Sequence, residues 1–94
     1  MTPNEGLDLK AIKVQEIRKV WNSLFIIPAP SEFQIRTWSC YPNFTIALGL
    51  REAARAFPRL QSTESVVRYA SKCMYTRSKV LSIMKQREKE NRNA

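Results

Sequence analysis

At 94 residues the chain has room for one domain, and its 44% hydrophobic and 26% charged residues are the proportions of a folded globular protein rather than a disordered one. Sixteen Lys and Arg against eight Asp and Glu leave a formal charge of +8, which favours polyanionic partners over basic ones. The absence of histidine removes the commonest general base and metal ligand, and two glycines are too few for a Gly-rich phosphate loop.

The first six residues, Met1 to Gly6, are polar and do not read as a signal peptide. Asp8 is placed to cap a first helix, expected over 9–26. Within it Val14, Ile17, Val20, Trp21, Leu24 and Phe25 recur at i, i+3, i+4 and i+7, with Gln15, Arg18, Lys19 and Asn22 away from that face. Pro28-Ala29-Pro30 ends it, because a residue before proline is pushed out of the helical region.

Ser31 restarts the chain with Gln34 three residues on, the pattern of a capping box, and a short helix over 31–40 is expected to turn Phe33, Ile35 and Trp38 inward. A third helix is expected over 44–57, with Ile46, Ala47, Leu50, Ala53, Ala54 and Phe57 on one face and Leu48, Arg51, Glu52 and Arg55 opposite. Gly49 inside it costs about 1 kcal/mol relative to alanine, a cost that a close helix crossing would justify. Pro58 stops it.

Ser62 or Thr63 caps the last helix, expected over 63–87, with Glu64 favourable beside the partial positive charge of its first turn. Val66, Ala70, Cys73, Met74, Val80, Leu81 and Met84 form its apolar face. Arg77 interrupts that face, and three arrangements would accommodate it: a helix break near Tyr75-Thr76, a guanidinium reaching solvent past its stem, or a partner covering the face. The fold expected is an all-α compact orthogonal bundle of about four helices, a single domain over 1–94 with flexible ends at 1–8 and 88–94. Trp21, Trp38, Phe44, Phe57, Leu50 and Val66 are expected in its core.

The chemistry expected is binding rather than catalysis. No local arrangement activates a Ser or Cys nucleophile, and no carboxylates pair on one helix face. Cys40 and Cys73 read as reduced, buried small hydrophobes rather than a disulfide framework. No enzyme activity, cofactor, metal or small-molecule ligand is expected. The most apolar run, Leu24 to Ala29, is far short of the ~20 residues that span a bilayer, so a cytoplasmic location is expected.

The clearest signal is electrostatic. Net charge rises from +1 over residues 1–30 to +2 over 31–60 and +5 over 61–94. Between Ser65 and Arg87 stand Arg68, Lys72, Arg77, Lys79, Lys85 and Arg87, and no acid. On a helix Arg68, Lys72 and Lys79 fall within roughly 40° of one another, with Ser65, Tyr75, Ser82 and Gln86 near the same stripe. Cations with hydroxyls between them suit a phosphate backbone, and a tyrosine suits a base to stack on. The candidate nucleic-acid-binding residues are therefore Arg68, Lys72, Lys79, Tyr75 and Arg87. A helix-turn-helix version would use 44–57 and 63–75, although the connector around Pro58 is long for it and lacks glycine.

From Pro28 to about Arg77 the order of landmarks resembles the C-terminal domain of DnaD-type replication proteins. The landmarks are Pro30-Ser31-Glu32, then Trp38, then Leu50-Arg51-Glu52-Ala53, then Tyr69. Tyr69 matches the first position of that family's Tyr-x-x-x-Ile-x-x-x-Trp motif, while Cys73 and Arg77 stand where it has Ile and Trp. The resemblance implies an all-helical module that binds or helps load single- or double-stranded DNA. The partners expected are thus DNA or RNA. The alternative is another protein or a second copy of the chain, suggested by apolar groups outside the core stripes at Tyr41, Leu48, Tyr75 and Ile83. A membrane-surface role ranks behind both, because the last helix has few bulky apolar residues opposite its bases.

Overall fold

Residues 9–92 are described by the structure, a computed structural model, and their apolar periodicity resolves into four α-helices with no strand among them. In chain order these are α1 (Leu9–Leu24), α2 (Glu32–Arg36), α3 (Asn43–Ala56) and α4 (Thr63–Arg92), with a 3-10 segment (Thr37–Cys40) continuing α2. The expected all-α helical bundle is what forms. Its expected boundaries hold to within two residues except at the last, where α4 runs on past 87 to Arg92. The expected cap Asp8 lies outside the described residues.

α1 buries Val14, Ile17 and Trp21, and Phe25 follows directly beyond its end. The Trp21 and Phe25 rings lie 4.5 Å apart, tilted, and Phe25 meets Phe57 edge-on at 5.7 Å. Trp21 is wholly buried because its indole N–H has a partner, donating to the Ile27 carbonyl at 3.2 Å. The Pro28-Ala29-Pro30 connector is fixed from the far end of the chain, where the Thr63 hydroxyl donates to the Pro28 carbonyl at 2.8 Å.

The capping box at α2 is complete: the Gln34 amide donates to Ser31 Oγ at 3.4 Å and the Ser31 amide to Gln34 Oε1 at 3.1 Å. Ile35 and Trp38 are buried, three residues apart, where the tighter 3-10 winding brings them onto one line. Trp38 donates to Ser71 Oγ of α4 at 2.8 Å. From α1, Lys13 Nζ donates to the carbonyls of Ser39 and Tyr41 at 3.1 and 2.6 Å, closing the 3-10 segment with a cation where its carbonyls lack partners. This short element is held at both ends.

α3 starts on the Pro42 carbonyl, which accepts from the Thr45 and Ile46 amides. It packs through Gly49, where a Cβ would meet Met74 Cγ at 2.5 Å and the Ala70 carbonyl oxygen at 3.0 Å. The missing side chain is what lets α3 and α4 approach so closely. Ser62 caps α4, accepting the Ser65 amide at 3.2 Å.

Four of the six expected core residues, Trp21, Trp38, Leu50 and Val66, are buried, and Phe57 is half-buried against them. Phe44 is not: it is 51% exposed, and Phe33, also expected inward, is 78% exposed. Residues two apart on a helix point about 200° from each other. Burying Ile35 therefore sends Phe33 outward, and burying Ile46 does the same to Phe44. Val20, Val80 and Met84 are exposed as well.

The exposure of Val80 and Met84 follows from length. α3 has 14 residues and α4 has 30, about 21 Å against 45 Å at 1.5 Å per residue. The buried residues of α4 are Val66, Ala70 and Met74, all in its first half. Past them the helix leaves the bundle, with Ser78 and Leu81 half-covered near Phe44. α4 is unbroken through Tyr75-Thr76, and Arg77 is exposed, so its guanidinium reaches solvent without interrupting the helix.

Candidate nucleic-acid interface

α4 carries its cations where the core cannot reach them. Val66, Ala70 and Met74 point into the bundle, and Arg68, Lys72 and Lys79 project from the opposite side, all three exposed. Along the axis Lys72 lies about 6 Å beyond Arg68, and Lys79 about 10.5 Å beyond Lys72.

The acids nearest in sequence do not neutralise the row. Glu52 pairs with Arg55 at 3.0 Å and Glu32 with Arg36 at 3.2 Å, both within their own helices. Arg68 pairs with Glu64 at 2.8 Å, but both side chains are about three-quarters exposed (77% and 75%). Such a pair contributes a few tenths of a kcal/mol, and a phosphate displaces it readily. Lys72, Arg77, Lys79 and Arg87 have no ion-pair partner among the described residues.

Tyr75 and Arg87 are both exposed on α4. Tyr75, 60% exposed, falls within about 40° of Arg68 and Lys79 around the helix; the Tyr41 phenol is pushed up by burial, and then by charge on Cys40 and Tyr75. Arg87 lines a separate groove of about 510 Å³ near the free end of α4, together with Leu81, Met84, Lys85, Glu88 and Asn91. A second aromatic near the cations is Tyr69, 38% exposed. It stands between two open grooves and lines both with Lys72. One, about 300 Å³, adds Leu60, Ser65 and Arg68; the other, about 380 Å³, adds Cys73, Thr76 and Arg77. Tyr69 lies three residues from Lys72 and beside Arg68, a spacing that places it at the edge of the cation stripe. That spacing is visible in the sequence.

Of the two thiols, both free, Cys73 is half-buried but Cys40 is exposed, against expectation, and donates to the Thr37 carbonyl at 3.3 Å. Burial and then the Glu52 carboxylate push the Cys73 thiol up, with Lys72 opposing them. This is the reverse of what an activated nucleophile needs. Among the described residues no three of His, Cys, Asp and Glu gather as a metal site, and no helix is long and apolar enough to cross a membrane. No protein-family model, curated protein or solved structure matches the chain.

Proposed function

We propose that the chain is a nonenzymatic nucleic-acid-binding module in which the outer face of α4 follows a phosphate backbone. The observation that carries this is the row Arg68, Lys72 and Lys79: exposed, set along one side of a rigid helix, and with Lys72 and Lys79 free of intramolecular ion pairs among the described residues. Ser65 and Thr76 add hydroxyl donors on the groove walls. Tyr69 supplies a ring against which an unstacked base can lie, which favours single-stranded targets. The resemblance to the C-terminal domain of DnaD-type replication proteins supports the same reading, and DNA is accordingly the first ligand to try.

The experiment is a salt titration of binding to a fluorescent 20-mer as single-stranded DNA, duplex DNA and RNA. Three phosphate contacts predict a log–log slope near −2.7 on duplex and about −2.1 on single strands. Lys72→Gln is expected to flatten the slope by roughly one contact. Absence of binding at about 50 mM salt would reject the proposal.

A further inference from the structure

Beside the cation row, α4 exposes a second stripe, which shares only Tyr69 and Thr76 with the proposed nucleic-acid face. Tyr69, Cys73, Thr76, Val80 and Ile83 follow one another at intervals of four, three, four and three residues. That alternation is the seam of a coiled coil, a line that stays on one side of a helix over about 21 Å. Val80 and Ile83 remain 41% and 45% exposed, and they lie beyond Met74, the last buried residue of α4. The lower wall of this seam, Tyr69, Cys73 and Thr76, already forms the open groove of about 380 Å³ with Lys72 and Arg77.

The charges beside the seam decide what fits it. In heptad terms Cys73 and Val80 take the a positions, and Tyr69, Thr76 and Ile83 the d positions. Lys72 and Lys79 then flank it at g, and Arg77 flanks it at e. No acid occurs between Ser65 and Arg87, and Glu88 and Glu90 lie five and seven residues beyond Ile83, the last position of the seam. A second copy docked in parallel sets Lys72 against Arg77, and one docked antiparallel sets lysine against lysine. Like charges at these positions select against self-pairing as firmly as opposite charges select a partner.

We infer that this seam docks an acidic amphipathic helix of another protein, about four turns long, with apolar residues at its own a and d positions and Glu or Asp at e and g. The occupant is helical because the seam has a helical period, and acidic because the charges of α4 that flank it, Lys72, Arg77 and Lys79, are all cations and outnumber Glu52 of α3, whose charge reaches Cys73 but which pairs with Arg55. Lys72 and Lys79 serve both this surface and the adjoining cation row, so the acidic helix and a phosphate backbone compete for α4. The docking surface itself stands on the seam and does not require that nucleic acid binds.

The test uses three labelled 21-residue peptides and the full chain. One peptide has Leu and Ile at a and d with Glu at e and g; the second has the same composition scrambled; the third keeps the apolar pattern with Lys in place of Glu. The striped acidic peptide is expected to bind at least tenfold more tightly than either of the others. The double variant Val80→Ser with Ile83→Ser, checked for unchanged helicity by circular dichroism, is expected to lose at least tenfold of that affinity while its affinity for duplex DNA stays within twofold. Equal binding of striped and scrambled peptides would reduce the effect to net charge and overturn the inference, as would no binding of the striped peptide. Sedimentation showing a dimer that the serine variant dissolves would give the seam to a second copy. Loss of DNA affinity in the serine variant without loss of peptide affinity would give it to nucleic acid.

Discussion

Gly49 offers a test in which two well-known effects oppose each other. In an exposed helix interior, replacing glycine with alanine stabilises by about 1 kcal/mol, because glycine loses more backbone freedom on folding. At this position the new Cβ would lie 2.5 Å from Met74 Cγ and 3.0 Å from the Ala70 carbonyl oxygen, where apolar carbons prefer roughly 3.5–4.0 Å. Met74 is fully buried, Cγ is not the free tip of its side chain, and the carbonyl belongs to the backbone of α4. Relief therefore requires the two helices to separate or Met74 to leave its rotamer, and overpacking of this kind costs about 1–3 kcal/mol. We expect Gly49→Ala to destabilise by a net ~1 kcal/mol, lowering Tm by about 4–8 °C for a domain of this size. Urea unfolding should show an earlier midpoint with an unchanged slope. In a Met74→Ala background the same substitution should cost less, since the Met74 contact is gone while the 3.0 Å approach to the Ala70 carbonyl remains. A rise in Tm for Gly49→Ala in the intact chain would refute the close crossing.

Three other substitutions or treatments probe separate features. Thr45 is fully buried, and its hydroxyl has no hydrogen-bond partner among the described residues; Thr45→Val should raise stability by about 1 kcal/mol in urea unfolding. Ser71→Ala removes the acceptor of the buried Trp38 indole N–H and should cost about 1–2 kcal/mol, with a shift in tryptophan fluorescence reporting the changed contact. Cys40 is exposed while Cys73 is half-buried with its thiol pushed up. Iodoacetamide at pH near 8 should alkylate Cys40 first, and the Cys73 rate should keep climbing at pH values above those where an ordinary thiol has levelled off.

Much of the fold was legible because helical periodicity, two proline stops and a capping box all point to the same boundaries. The Ser31–Gln34 box and the Pro28-Ala29-Pro30 connector lie where local chemistry puts them. Phe33 and Phe44 lie outside the core because phase, and not aromatic character, decides which residues a helix buries. Phe33 and Phe44 each sit two residues before a buried isoleucine, and a helix cannot turn both inward. Other features depend on elements far apart in the chain. Lys13 capping the 3-10 segment and Thr63 fixing the proline connector join residues 26 to 35 positions apart, and no local pattern announces them.

The candidate site was legible in its charge and less so in its company. Arg68, Lys72 and Lys79 project together because one helix carries all three. Tyr75 follows from its phase along the row, whereas Tyr69 is marked by the two grooves that it lines with Lys72. Arg77 would be costly only if the apolar face stayed covered along its whole length. How far a neighbour extends is a tertiary property, and the 14 residues of α3 stop short.

The excess length of α4 gives the molecule two scales of persistence. Backbone amides near Val66 and Met74 can exchange with solvent only when the whole bundle opens, whereas those beyond Ser82 are protected by little more than their own helical turns. Warming should therefore melt the outer turns well before the bundle, and their tightness becomes something that an occupant confers.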